Sequence, residues 1–346
     1  MSPRGPHLLA GALAAALFAC QAGARERPKR LTLYCSTQIE WCEKVVTAFE
    51  AQSGTRAAMT RKSSGEVLAQ LIAERRNPKG DVWFGGTGDA HLQAAELALT
   101  EPYRSPRLDQ LHRWAIDPAG RGEHRTTGIY MGALGFGYNQ EWLDARGLPA
   151  PKKWSDLLDP AYAGEIQLGN PSSSGTAYTA LATFVQLFGE DEAFRFLRKL
   201  DRNVNQYTLS GAAPIRAAAR GETGVGIVFL HDAMTEKLAG FPITLVGPED
   251  GTGYEIGCVS VVRGARHLAS AQAFVDFVLS PEGQALGAEA KAYQIPSNKR
   301  APVHPQAPAV DQLRLIPFDQ PRFGSKAERA RLLKRFEAEV RGGAGG

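Results

Sequence analysis

Short apolar stretches alternate with segments of helical period along most of the chain, and this alternation limits the available folds more than any other feature. Leu31-Thr32-Leu33-Tyr34 reads as a strand, followed by Trp41, Val45, Ala48 and Phe49 at helical spacing. Ala57-Ala58-Met59 is a weaker strand, and Val67, Leu68, Leu71 and Ile72 mark a second helix. Asp81-Val82-Trp83-Phe84 is a third strand, running into Gly85-Gly86-Thr87-Gly88. Strand and helix in this order imply a parallel α/β sheet, because parallel neighbours need crossover helices. Between residues 99 and 128 the pattern gives way to Pro102, Pro106, Pro118, Gly120 and Gly122, a surface excursion. A strand returns at 129–138, and a second alternation runs over about 154–246, with strands at 165–168 and 225–230 and helices at 178–187 and 192–200. After it, the strand 258–262 leads into helical patterns containing Phe274, Val275 and Phe277. Ser325-Lys326-Ala327-Glu328 reads as a capping box opening a last helix, with Leu333, Phe336 and Val340 on its apolar face.

Two blocks of alternation suit a chain of 346 residues, since one domain takes roughly 150. An apolar share of 43% excludes a disordered chain, and Lys plus Arg exceed Asp plus Glu only by 40 to 36, too little to suggest nucleic acid as a partner. Residues 1–24 read as a cleaved signal peptide: Arg4, the apolar run 8–19, then Ala22-Gly23-Ala24 as an A-x-A site. Twelve apolar residues are too few to span a bilayer core of about 30 Å as a helix. The mature protein is therefore expected outside the cytoplasm, in the periplasm. Leu17-Phe18-Ala19-Cys20 offers a second route, a lipid anchor at Cys20, although Phe18 stands where a lipobox has a small residue. Nothing in the pattern argues for an oligomer, so a monomer is expected. In an oxidising compartment Cys35 and Cys42 are close enough along the chain for a disulfide joining a strand end to the next helix; two separately buried thiols are the other reading. Cys258 sits in an apolar run and reads as a buried small residue.

Neither G-x-x-x-x-G-K-[ST] nor G-x-G-x-x-G occurs, despite 37 glycines, so nucleotide binding has no support and no cofactor is expected. H-E-x-x-H and G-x-S-x-G are also missing and the seven histidines are scattered, so neither a resident metal nor an enzyme is expected. Small hydroxyl residues recur instead where strands give way to helices: Ser36-Thr37, Ser63-Ser64-Gly65, Thr87-Gly88, Ser172-Ser173-Ser174-Gly175-Thr176 and Ser210-Gly211. A helix N-terminus has unpaired N–H donors and a partial positive charge, so several converging can solvate an oxyanion without Lys or Arg. Thr37 with Glu40 and Ser63 with Glu66 also fit capping boxes, whose hydroxyls serve only their own helices. Five such clusters point collectively to an anion, because open α/β sheets bind ligands at the carboxyl ends of their strands. A second group is His231-Asp232, directly after a strand, with Glu255 near it in pattern. Carboxylates accept two hydroxyl hydrogen bonds at once and so suit the vicinal hydroxyls of a sugar.

Taken together, Leu33-Tyr34-Cys35-Ser36-Thr37-Gln38, Arg61-Lys62-Ser63-Ser64-Gly65-Glu66, Asp81 through Gly88, Asn170-Pro171-Ser172-Ser173-Ser174-Gly175-Thr176 and Gly253-Tyr254-Glu255-Ile256-Gly257 resemble an extracellular solute-binding protein of an ABC importer. The likeness covers nearly all of the mature chain and is to the cluster holding ferric-iron, phosphonate and hexose-phosphate binders. It implies a type II fold: two α/β lobes, two crossing strands near 129–137 and 255–261, and a ligand cleft between the lobes. It further implies a discontinuous first lobe, 25–130 plus 256–346, with 131–255 as the second. The iron binders present consecutive tyrosines to the metal, whereas here Tyr207 and Tyr254 stand alone, and hard Fe(III) favours anionic oxygen ligands. The likeness is therefore greatest to the hexose-phosphate binders. On it, Ser36, Thr37, Ser63, Ser64, Thr87, Ser173, Ser174, Gly175 and Thr176 would hold the phosphate, and His231, Asp232 and Glu255 the sugar hydroxyls. The implied partners are a phosphorylated sugar such as glucose 6-phosphate and a membrane permease with a cytoplasmic ATPase. The alternatives are a 2-aminoethylphosphonate or ferric-iron receptor and, in a different class, a secreted phosphate-ester hydrolase.

Overall fold

The computed structural model describes Met1 and residues 29–342 apart from Ala119; the expected signal peptide and Cys20 lie outside the described residues. The chain opens with β1 (Arg30–Cys35), α1 (Ile39–Ser53), β2 (Arg56–Arg61), α2 (Ser64–Glu74), β3 (Val82–Thr87) and α3 (Gly88–Glu96). Short β4 (Thr100–Glu101) and α4 (Arg113–Ile116) lie in the Pro- and Gly-rich stretch before the long strand β5 (Thr127–Asn139). Then come α5 (Gln140–Arg146), β6 (Ile166–Gly169), α6 (Gly175–Phe188), α7 (Glu190–Asp201), β7 (Val204–Thr208), α8 (Ala213–Ala219), β8 (Val225–Phe229), α9 (Leu230–Leu238) and β9 (Ile243–Val246). The chain closes with β10 (Tyr254–Val262), α10 (Leu268–Val278), α11 (Pro281–Glu289), β11 (Ile295–Pro296), α12 (Gln320–Phe323) and α13 (Lys326–Phe336).

The strands run in the order β2-β1-β3-β10-β5-β8-β6-β7, with β4, β9 and β11 at the sides. Pairing is parallel from β1 to β2 and β3, and from β6 to β7 and β8. It is antiparallel wherever β5 or β10 takes part, so the sheet is mixed rather than wholly parallel. β5 is long enough to serve both halves. Its first residues pair with β10 and β11, and 134–139 pair with β8 and β9. The change occurs where Glu255 faces Gly132 and Leu134 N–H donates to Gly253 O at 3.0 Å, which makes β5 and β10 the two strands that cross between halves.

Burial follows the same division. Leu31, Leu33, Val45, Phe49, Phe84, Ile129 and Phe274 share one core, whereas Leu134, Phe136, Trp154, Phe184, Phe194 and Phe229 share another. α6 is buried without interruption from Gly175 to Val185, a central helix. α7, by contrast, buries only Ala193, Phe194, Phe196, Leu197 and Leu200. The end of the chain departs from the expected division. Phe323, Leu332, Phe336 and Val340 join the second core rather than the first, while Lys326 N–H and the Arg329 side chain bond to Glu96 and Asp89 of α3. The chain returns through a third passage, where Leu315 bridges to Thr252 and Thr252 N–H donates to Arg314 O at 2.9 Å. Ser325 caps α13 as expected, accepting from Glu328 N–H, but Leu332 is the buried residue and Leu333 only partly so.

Candidate functional site

β1, β2, β3, β6 and β8 all end on one cleft of about 280 Å³ between the two cores, and six helices begin there. Its walls include Ser36 and Thr37 ahead of α1, Ser63 and Ser64 at α2, Thr87 at α3, Ser174, Gly175 and Thr176 at α6, Ala212 and Ala213 at α8, and His231 and Asp232 at α9. Because the first turns of helices carry N–H groups with no intrahelical acceptor, six such starts around one cavity make it strongly attractive to an anion.

The individual hydroxyls differ. Ser63 forms a full capping box with Glu66, and its Oγ donates to Leu209 O at 3.1 Å. Ser174 Oγ accepts from Ala177 N–H. Thr37 does not cap α1; its hydroxyl donates to Gln38 Oε1 at 2.6 Å. Ser36 Oγ accepts from the Trp83 indole at 2.9 Å, Ser64 Oγ accepts from Thr87 N–H at 3.1 Å, and buried Thr87 Oγ1 has no hydrogen-bond partner. Ser173 is the exception among the expected residues and does not line the cleft. Its Oγ turns to Asn170 O and Leu209 O at 3.4 and 3.3 Å, and its carbonyl accepts from Gly65 N–H across the gap between halves.

Backbone geometry makes the close approach workable. β3 continues through Gly85 and Gly86 at φ 74° and 86°, a left-handed conformation that side-chain-bearing residues rarely adopt. A Cβ on Gly86 would strike Ser64 Oγ and lie 2.7 Å from Ser36 Cβ, so glycine lets these residues converge. Gly175 likewise lets the start of α6 abut Thr87 at the start of α3.

His231, Asp232 and Glu255 come together at the crossing of β5 and β10. His231 Nε2 lies 3.8 Å from Asp232 Oδ2 and 3.7 Å from Glu255 Oε1, too far for direct hydrogen bonds. The His231 ring stacks on Phe229 at 5.4 Å, and Gly132 leaves room for it. Burial pushes the His231 pKa down, against the pull of Asp232. Burial pushes Glu255 well above the carboxylate range, reinforced by Asp232 and Asp89. Tyr130, raised by burial and then by Glu255, accepts from Gly86 N–H at 3.1 Å and so joins the two ends of the site.

Several lining residues escaped the sequence reading: Gln38, Arg61, Tyr130, Arg216 and Gln294. Gln38 spans the cleft, donating to Asp232 Oδ1 at 2.8 Å and accepting from Gln294 at 3.3 Å. The two arginines add cationic side chains to the helix starts on which the sequence reading relied. Tyr207 and Tyr254 lie elsewhere, the first bonded to Asp201 at 2.6 Å and the second packed on Phe318. Cys35 and Cys42 form a disulfide, which fixes the loop carrying Ser36, Thr37 and Gln38. Cys258 is a buried free thiol, pushed up to about 12 by burial.

Two α/β halves, hinged on crossing strands and closing on a polar cleft at their strand ends, define a two-lobed binding protein of type II. The chain belongs to the bacterial extracellular solute-binding protein family, whose model matches residues 77–322. The periplasmic binding protein AfuA from Actinobacillus pleuropneumoniae, solved with exogenous fructose-6-phosphate bound, is similar at 45% identity and a TM-score of 0.89, over 91% of this chain and 99% of that one. The periplasmic binding protein P5PA is similar at 40% identity and a TM-score of 0.87, over 90% and 99%. An uncharacterized protein of Haemophilus influenzae is 46% identical over 92% of this chain and 93% of its own. Membership implies a small-molecule ligand and an ABC permease and ATPase as partners. Among the described residues no helix is long and apolar enough to cross a membrane.

Proposed function

We propose that this protein is the periplasmic receptor of an ABC importer for a phosphorylated sugar, a hexose phosphate such as glucose 6-phosphate, and that it makes and breaks no bond. The observation that carries this reading is the polarity of the cleft. One end gathers helix starts and hydroxyls for a phosphate, while the other gathers His231, Asp232 and Glu255 for sugar hydroxyls. The 45%-identical AfuA, solved with fructose-6-phosphate, supports it. In this assignment Ser36, Thr37, Ser63, Ser64, Thr87, Ser174, Gly175 and Thr176 face the phosphate, and Ser173 supports the loop behind them. The lobes are 25–130 with 256 to about 312, and 131–255 with the remainder to 342, in keeping with the two cores. Residues 1–24 are the signal peptide, and the mature receptor acts as a monomer.

A thermal-shift panel on ligand-stripped protein tests this: glucose 6-phosphate, fructose 6-phosphate, glucose, phosphate, 2-aminoethylphosphonate and Fe(III) citrate. Ligand at about a thousandfold over Kd stabilises by about 4 kcal/mol, a shift of several degrees. Sugar phosphates should shift the midpoint and free glucose should not. A shift only with the aminophosphonate or iron would move the ligand to those classes, and turnover of a chromogenic phosphate ester would replace receptor by hydrolase.

A further inference from the structure

Arg61 and Arg216 stand on opposite lobes and line the same cleft, Arg61 at the end of β2 and Arg216 on α8. Their partners differ. Arg61 Nε donates to Thr37 O at 3.1 Å, and no ion pair joins it among the described residues. Arg216 has only Glu236 on α9, at 3.6 Å, and its side chain remains 47% exposed. Two cations brought together by closure oppose that closure unless a negative charge lies between them. Burial holds the Arg61 pKa down, with Arg216 acting in the same direction and Asp232, Glu66 and Glu40 acting the other way.

We infer that Arg61 and Arg216 are a charge gate across the cleft: they repel in the empty protein, favour the open state, and close on the anionic end of the ligand as its direct contacts. The gate makes closure conditional on a phosphate-class anion, because a neutral sugar leaves the repulsion in place. It also explains why the cleft needs cations besides the helix starts. Helix starts of either lobe attract the anion without opposing closure, whereas two guanidinium groups on separate lobes repel until an anion lies between them and reward it when both lobes meet. The inference rests on the reading of the cleft as a phosphate-ester site.

The test uses the mature protein and its Arg61→Gln, Arg216→Gln and Arg61→Lys variants, with affinity by titration calorimetry and compactness by small-angle X-ray scattering. Each Gln variant should bind glucose 6-phosphate about 10- to 100-fold more weakly, as for the loss of a charge-assisted bond. In the absence of ligand each should scatter as a more compact particle than the parent, an effect that a merely structural loss would not produce. Arg61→Lys keeps the charge and should keep the open ligand-free state while losing part of the affinity. Parental affinity in both Gln variants, or unchanged ligand-free scattering, overturns the gate. If the parent binds no sugar phosphate, the functional reading fails by itself; the gate is then judged by inorganic phosphate titrations and ligand-free scattering, with the same outcomes required.

Discussion

At the scale of single residues, the two buried carboxylates at the proposed sugar end of the cleft have different surroundings. Asp232 is oriented by Gln38 from the opposite lobe, while Glu255 is 4% exposed on the crossing strand. Asp232→Ala should weaken hexose phosphate binding about 10- to 100-fold while leaving the weak binding of phosphate alone unchanged, as read by calorimetry. Equal loss for both ligands, or none, contradicts the division between sugar and phosphate ends. Glu255 also sets a pH dependence. Its folded pKa lies well above the reference 4.5, so the folded state holds more protons over that interval and stability falls as pH rises through it. His231 works oppositely: its folded pKa lies below 6.5, so protonation of the unfolded chain lowers stability as pH falls beneath that value. Urea midpoints of Glu255→Gln should therefore decline less than those of the parent between pH 5 and pH 8. An identical decline would show that Glu255 does not titrate in this window.

At the scale of elements, the cleft depends on helix starts meeting closely. α3 and α6 abut at Thr87 and Gly175, and an added Cβ on Gly175 would meet three Thr87 side-chain atoms. Gly175→Ala overpacks that junction at a cost of about 1–3 kcal/mol in the closed state. Hexose phosphate affinity should drop at least about tenfold, while the ligand-free melting midpoint changes little because the open lobes relieve the clash. An affinity equal to the parent's would mean that the two helix starts do not close on one another. The loop before α1 is held differently. The disulfide ties Cys35 at the end of β1 to Cys42 within α1, and Arg61 anchors Thr37 O between them. The elements themselves were largely legible from periodicity: β1, α1, β3, α6, α7 and β8 fall within a few residues of the sequence reading. The short strands β4, β9 and β11 were not, because two to four residues held by a neighbour's ladder carry no period of their own.

At the scale of the molecule, β5 and β10 form the hinge, and the closed arrangement is held by bonds between lobes. These include Gln38 to Asp232, Gly65 N–H to Ser173 O and Ser63 to Leu209 O. Behind the cleft, Arg329 of α13 pairs with Asp89 in the first turn of α3, donates to Pro171 O at 3.1 Å and lies over the Tyr178 ring at 4.2 Å. Both charged side chains are nearly inaccessible, so removing one leaves the other buried and unpaired. Arg329→Ala should cost about 3–5 kcal/mol in urea unfolding, and the double variant Arg329→Met with Asp89→Leu should recover much of it. A loss under about 1 kcal/mol in the single variant would mean that water reaches Asp89 and the pair is not truly buried.

The sequence by itself determined the α/β class, the two blocks, the hydroxyl residues at helix starts, and the polar trio His231, Asp232 and Glu255. These are local matters: strand and helix periods span a few residues, and a small hydroxyl residue ahead of a helix declares its position through the backbone it serves. The tertiary structure alone decided which of those hydroxyls face the cleft. It turned Ser173 away, brought Gln38 to Asp232 and Gln294 to Gln38, and set Arg61 and Arg216 across from one another. It also moved the last two helices from the first core to the second. Each of these depends on contacts between residues tens to hundreds of positions apart, where packing rather than local conformational preference sets the free energy, and no pattern confined to one segment records it.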